Sequence, residues 1–174
     1  MKFLRTTRKV LINNLGESFL FLSFLMGIVG TIAFYFASKK KSNILVSVGE
    51  RSIKAVFSLL SLSVLLLVYL LVTKDYSNAY VAKNASNDLS IIYSIAALWA
   101  GQEGSLLLWS WILSIFALVV TVSKTFKPLI VSTEKTVLFI LSFFVFLIVF
   151  IENPFEVLSS APKNGRGLNP ILQN

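Results

Sequence analysis

Leu89 to Ser123 reads LSIIYSIAALWAGQEGSLLLWSWILSIFALVVTVS, an apolar run almost without interruption. As one straight helix, its 35 residues would be about 50 Å long, well beyond the roughly 30 Å of bilayer hydrocarbon. The segment therefore has to break. The break falls at Gly101-Gln102-Glu103-Gly104, where two permissive glycines bracket an amide and a carboxylate that are costly in lipid. That predicts a membrane span over Gly104 to Ser123 and leaves Leu89 to Ala100 too short to cross. Ser90, Ser94 and Ala97 share one face of the shorter piece, with Ile91, Ile95, Leu98 and Trp99 elsewhere. This pattern predicts an interfacial or re-entrant helix, capped by Asn87 or Asp88, with Trp99 at headgroup depth.

Three further apolar runs lie on either side: Phe19 to Ala37, Ala55 to Thr73, and Thr133 to Ile151. The fold class that follows is an all-α membrane protein with about four transmembrane helices plus a short interfacial or re-entrant helix before the third. The first span follows Lys2, Arg5, Arg8 and Lys9 but ends in Phe34, Tyr35 and Phe36, so it reads as a retained span and not as a cleaved signal. Lys39, Lys40 and Lys41 stop it, and a loop through Gly49, Glu50, Arg51 and Lys54 is expected before the second span. Lys74 to Asp88, rich in Asn, Asp, Ser and Tyr, reads as a solvated loop. Lys124, Lys127 and Pro128 end the third span. Residues 153–174 hold three of the four prolines with Gly165 and Gly167, which predicts an extended surface tail.

Of the 174 residues, 56% are hydrophobic and 14% charged, a membrane balance. The net charge of +8 fits lysines and arginines lying against lipid headgroups, and nucleic acid is not an expected partner. The chain has neither cysteine nor histidine. Those absences remove disulfides, thiol nucleophiles, the commonest general base, the commonest metal ligand and the usual haem ligand. No catalytic residue and no metal site are assigned. Setting the amino-terminal segment aside, loops one and three carry eight cations against four in loop two and the tail. This favours loops one and three in the cytoplasm and gathers the Gly101–Gly104 turn, the loop before it and the tail on the outer side.

The most unusual local chemistry is Trp99-Ala100-Gly101-Gln102-Glu103-Gly104-Ser105-Leu106-Leu107-Leu108-Trp109. A carboxylate there either faces water, a partner helix or a polar ligand, or simply occupies the first helical turn where the macrodipole favours it. Both readings stand on the residues alone. Trp109 and Trp111 have the spacing of packing or interface anchors. Gly165-Arg166-Gly167-Leu168-Asn169-Pro170-Ile171-Leu172-Gln173 reads as a solvated tail, and Lys39 to Lys41 as topology determinants.

Taken in order, these motifs resemble the amino-terminal part of the cytochrome c maturation haem lyases of the CcmF and NrfE type. Trp99 to Trp109, WAGQEGSLLLW, is similar to that family's WGGHEGSLLLW. Asn153-Pro154-Phe155-Glu156 and Gly167 to Gln173 resemble its NPF and GR-x-LNPLLQ elements, and Tyr80-Val81-Ala82 its YVAQN loop. The resemblance implies a role in covalent haem attachment to apocytochrome c at the outer face of a bacterial inner membrane or an organellar inner membrane. It implies haem as cofactor, and as partners membrane lipid, a haem chaperone, apocytochrome c and a carboxyl-terminal half carrying the tryptophan-rich WWD-type motif.

The departures limit what carries over. The family's HPPLLYMGYVG and WWD segments, with their histidines, have no counterpart here, and the often-histidine motif position is Gln102. Haem is therefore expected to be bound mainly by the other half. What transfers is a haem-chamber scaffold of Trp99, Gly101, Gln102, Glu103, Gly104, Trp109, Asn169 and Pro170. A split-gene product is the favoured expectation over a truncated frame or a fragment. The competing reading is a membrane transport or channel component with Glu103 in a polar pathway.

Overall fold

The computed structural model describes residues 2–123 and 127–167, with side chains described for residues 10–123 and 131–167. The helices are α1 (Lys2–Lys40), α2 (Asn43–Val72), α3 (Ala79–Asn84), α4 (Ile91–Ala96), α5 (Gln102–Ser123) and α6 (Lys127–Phe150), with a 3-10 turn over Ala97–Trp99 after α4. Four of them, α1, α2, α5 and α6, contain stretches long and apolar enough to cross a membrane. The protein is thus an all-helical, multi-pass membrane protein.

The four long helices form an up-and-down bundle in which α1 packs on α2 and α6, and α5 packs on the same two. Leu20, Phe34, Ile53, Leu60, Leu67, Leu107, Leu138, Leu141 and Ile148 are buried at its centre. Leu65, Phe116, Val119, Phe139 and Phe143 point outward, as expected of helices whose outer solvent is lipid.

The first loop is much shorter than the charges suggested. α1 runs to Lys40, Lys41 turns with φ 50°, Ser42 takes the N-cap position, and α2 begins at Asn43. Gly49, Glu50, Arg51 and Lys54, expected in a loop, are helical. Gly49 faces the Phe34 ring, at a place where any added Cβ would sit 2.5 Å from the ring carbons. Charged residues within a turn or two of a span's end keep their helical hydrogen bonds while their side chains reach the headgroups, so charge there does not end a helix.

Lys74 to Asp88 is not a solvated loop. It contains α3, and Asp75, Tyr76, Asn78, Tyr80, Val81 and Asn84 within it are buried. In α4 the small face of Ser94 and Ala97 is buried, while Ile91, Ile92, Tyr93, Ile95 and Trp99 are exposed; Leu98, expected with the exposed set, is buried. Ser90 occupies the N-cap position of α4 without a side-chain cap, whereas Asn87 is engaged elsewhere, so neither Asn87 nor Asp88 caps this helix.

The segment after α6 is non-helical and mostly exposed over residues 156–167. It folds back across the end of the bundle, with Phe155 buried and Asn78 and Val157 paired in an isolated antiparallel bridge. Lys124, Leu168, Asn169, Pro170 and the rest of the Leu168–Gln173 element lie outside the described residues.

Candidate functional site

Segments that are distant in sequence meet at one end of the bundle. At the centre is α3, capped by Asn78, whose Oδ1 accepts the Val81 N–H at 2.9 Å. The Asn78 amide donates to Asn13 Oδ1 on α1 at 2.7 Å and to the Pro154 carbonyl at 2.8 Å. One side chain therefore ties together the first helix, α3 and the tail. Asn153 Oδ1 accepts the Phe155 N–H at 2.9 Å, closing the turn that sends Phe155 inward against Gly16 of α1.

Positions 80, 83 and 84 are spaced i, i+3 and i+4 and share one face of α3, the face turned toward the start of α5. Tyr80 donates to the Ala97 carbonyl at 2.8 Å and accepts from the Gly101 N–H at 3.1 Å. A Cβ on Gly104 would collide with the Tyr80 hydroxyl and the Leu98 carbonyl, and one on Gly101 would lie 2.8 Å from the Tyr80 ring. The two glycines of the turn are therefore the room that Tyr80 occupies. Burial pushes the Tyr80 hydroxyl well above its usual pKa; the Gly101 N–H opposes this and the nearby Glu103 carboxylate adds to it.

Glu103 stands in the first turn of α5, largely covered at 17% exposure, with Oε1 3.2 Å from Lys83 Nζ. Its Oε2 is buried with no hydrogen-bond partner among the described residues. Gln102 is exposed, as are Trp99 and Trp109, both about half open to the surroundings. Trp111 instead turns inward and donates to Ser61 of α2 at 2.9 Å.

The tail completes the other side of α3. Ala79 N–H donates to Glu156 O, Leu158 N–H to Ser77 O, Arg166 N–H to Ala82 O and Gly167 N–H to Ala85 O, all between 2.8 and 3.1 Å. Asn164 Oδ1 accepts from the Asn87 N–H at 2.8 Å, and Lys74 Nζ donates to the Asn87 and Leu89 carbonyls. The Arg166 side chain is exposed.

The structure thus gathers Trp99, Gly101, Gln102, Glu103 and Gly104 around the start of α5, while Trp109 lies two turns further along that helix with its side chain exposed. Asn169 and Pro170 lie outside the described residues. Asn78, Tyr80 and Lys83, none of them singled out from the sequence as a site residue, build the contacts that hold the group. The i, i+3, i+4 spacing on α3 was the signal that could have found Tyr80 and Lys83. A second residue also escaped sequence reading: Glu134 of α6 is 1% exposed, and no cation pairs with it among the described residues.

These residues do not fit haem ligation. The chain has no histidine or cysteine, the Tyr80 hydroxyl is held by backbone groups, and Met26 packs against the core. What the arrangement offers is a rigid polar end carrying an exposed indole at Trp99, an exposed amide at Gln102 and a carboxylate paired with Lys83.

No family model matches the chain. Among characterised proteins it is 31% identical over 167 residues to the cytochrome c-type biogenesis protein CcmF of Haemophilus influenzae, covering 94% of this chain and 26% of that protein. It is 38% identical over 113 residues to CcmF of Escherichia coli K12, covering 63% of this chain and 18% of the relative. It is 35% identical over 119 residues to NrfE of Haemophilus influenzae, covering 66% and 18%. The chain spans about a quarter or less of the length of these relatives. In fold it is similar to a solved cytochrome c haem lyase CcmF, with a TM-score of 0.77 at 24% identity over 87% of this chain and 25% of that one.

Proposed function

Taking as premise that the chain is a counterpart of the amino-terminal part of the CcmF-type cytochrome c biogenesis family, we propose that it serves cytochrome c assembly as a membrane module of the haem lyase. In this role it forms the outer-face surface against which the haem-holding part of the machine and apocytochrome c are positioned. The observation that carries this reading is the convergence of every family-like motif within the described residues on one end of the bundle, around Tyr80. The Tyr80-Val81-Ala82, Gly101 to Gly104 and Asn153-Pro154-Phe155 elements touch one another there or meet through Asn78.

The chain's own residues act as scaffold. The Tyr80 hydroxyl fixes the direction in which α5 leaves the turn, and Lys83 holds one oxygen of Glu103. The second oxygen of Glu103 is turned inward on the Gly101 side of the turn, so that the carboxylate meets the surface only through the oxygen beside Lys83. Trp99 presents flat apolar surface at the same end. The partners in this reading are a haem-binding carboxyl-terminal half, a haem chaperone and apocytochrome c, and the membrane is the bacterial inner membrane with this end outward. The transport reading has less support, because Glu103 pairs with exposed Lys83 at the end of the bundle and not partway along a span.

Deleting the gene and staining membrane proteins for covalently bound haem tests the proposal. Loss of c-type cytochromes, restored by the wild-type chain but poorly by Gly104→Ala, is the expected result. Undiminished covalent haem in the deletion strain would overturn it.

A further inference from the structure

Two adjoining cavities of about 330 and 380 Å³ open between α1 and α6, lined by those two helices alone. They share Thr31, Ile32 and Phe139 and so form one groove. Along α1 it runs from Phe24 to Phe36, about 18 Å at the helical rise, close to the depth of one leaflet of hydrocarbon. Its walls are aromatic and aliphatic for most of that length.

The end toward the α1–α2 turn is different. Tyr35 and Lys135 line it, Lys39 Nζ stands 4.5 Å from the Tyr35 ring centre, and Lys40 Nζ stands 5.7 Å from that of Phe36. Among the described residues, no ion pair neutralises Lys39, Lys40 or Lys135. The nearest carboxylate in sequence, Glu134, is buried on the side of Thr121 and Glu50, away from the groove. An apolar slot one leaflet deep, ending in unpaired ammonium groups beside a phenol, matches one class of molecule in shape and in charge.

We propose that the groove between α1 and α6 binds one anionic phospholipid, with an acyl chain against Phe24, Ile32 and Phe139 and the phosphate held by Lys39 and Lys135 beside Tyr35. The Lys39–Lys41 run then has a second use beyond setting topology. The site does not depend on the role in cytochrome c assembly.

The test is native mass spectrometry of the full chain released from micelles holding equal phosphatidylglycerol and phosphatidylcholine. The wild type is expected to retain one phosphatidylglycerol with about tenfold preference, a scale set by two lysines near an anionic headgroup. Lys39→Gln with Lys135→Gln abolishes the preference while neutral lipid is still retained. Ile32→Trp, which fills the slot, removes retention of both lipids without loss of helicity by circular dichroism. No preference in the wild type, or an undiminished preference in the double variant, overturns the proposal. A photo-crosslinking residue at position 139 that captures a polypeptide in native membranes and no lipid also overturns it, by assigning the groove to a protein.

Discussion

The Tyr80 hydroxyl occupies the space that a Cβ on Gly104 would need. The same Cβ would also meet the Leu98 carbonyl, which is backbone and cannot swing aside. Gly104→Ala should therefore destabilise the protein by roughly 1–3 kcal/mol, the scale of overpacking in a well-filled site. Gly101→Ala should cost less, because its new Cβ meets the Tyr80 ring edge and the movable ends of Glu103 and Asn84. Thermal unfolding in mild detergent measures both, and equal midpoints for the two variants would contradict the ordering.

A titration effect follows from the burial of Tyr80. Its hydroxyl is raised above the ordinary 10.0, so the folded chain keeps a proton that the unfolded chain releases. The stabilisation is complete below pH 10 and is lost as pH rises above it toward the folded-state value. The wild type should loosen between pH 10 and 11 more steeply than Tyr80→Phe. At neutral pH, Tyr80→Phe should itself be weaker, because the Gly101 N–H loses its acceptor. Near-ultraviolet circular dichroism across that range checks both statements.

Asn78 uses its carbonyl oxygen for the cap and its amide for two separate chain segments. Asn78→Ala should cost about 1 kcal/mol for the cap and about 1–3 kcal/mol more for the buried groups left without partners. Asn78→Asp keeps the cap but sets a buried carboxylate oxygen against the Asn13 and Pro154 oxygens, and should cost at least as much as Asn78→Ala. Trypsin cleavage after Lys163 in the tail reports the loss directly, faster in both variants than in the wild type and at least as fast in Asn78→Asp as in Asn78→Ala.

The Lys83–Glu103 pair has one partner more than half exposed. A double-mutant cycle with Lys83→Ala and Glu103→Gln should give a coupling of about 0–1 kcal/mol.

Glu134 is covered by the bundle beside Thr121 of α5, and no cation pairs with it among the described residues. An amide of the same shape removes an ionisable group that has no compensating cation, so Glu134→Gln should leave the unfolding midpoint unchanged or raise it. A fall of several degrees would mean that the acid itself is held in place by a partner.

The four spans were legible because each is a long apolar run between cations, and the break at Gly101 because a single helix would overshoot the membrane. The α1–α2 turn was not legible, since Glu50, Arg51 and Lys54 look like loop residues until their place at the headgroup edge of a helix is known. The folded end was hidden for the opposite reason. Asn78 and Tyr80 are polar types that composition assigns to water, yet both are buried with partners 17 to 76 residues away. Only a contact map can reveal that. Glu134 was hidden because Thr133 and Lys135 beside it suggested the rim of a span, while the burying surface comes from another helix.

The Phe155 ring rests in the hollow left by Gly16, and α3 is held on one face by backbone groups of residues 156–167. Those latches leave the ribosome last among the described residues. A nascent chain paused after α5 already holds the tyrosine, the glycine turn and the carboxylate, but α3 still lacks the backbone partners that residues 156–167 supply. Order of synthesis is thus written into the architecture: this end of the bundle is closed from behind, by the stretch that follows α6.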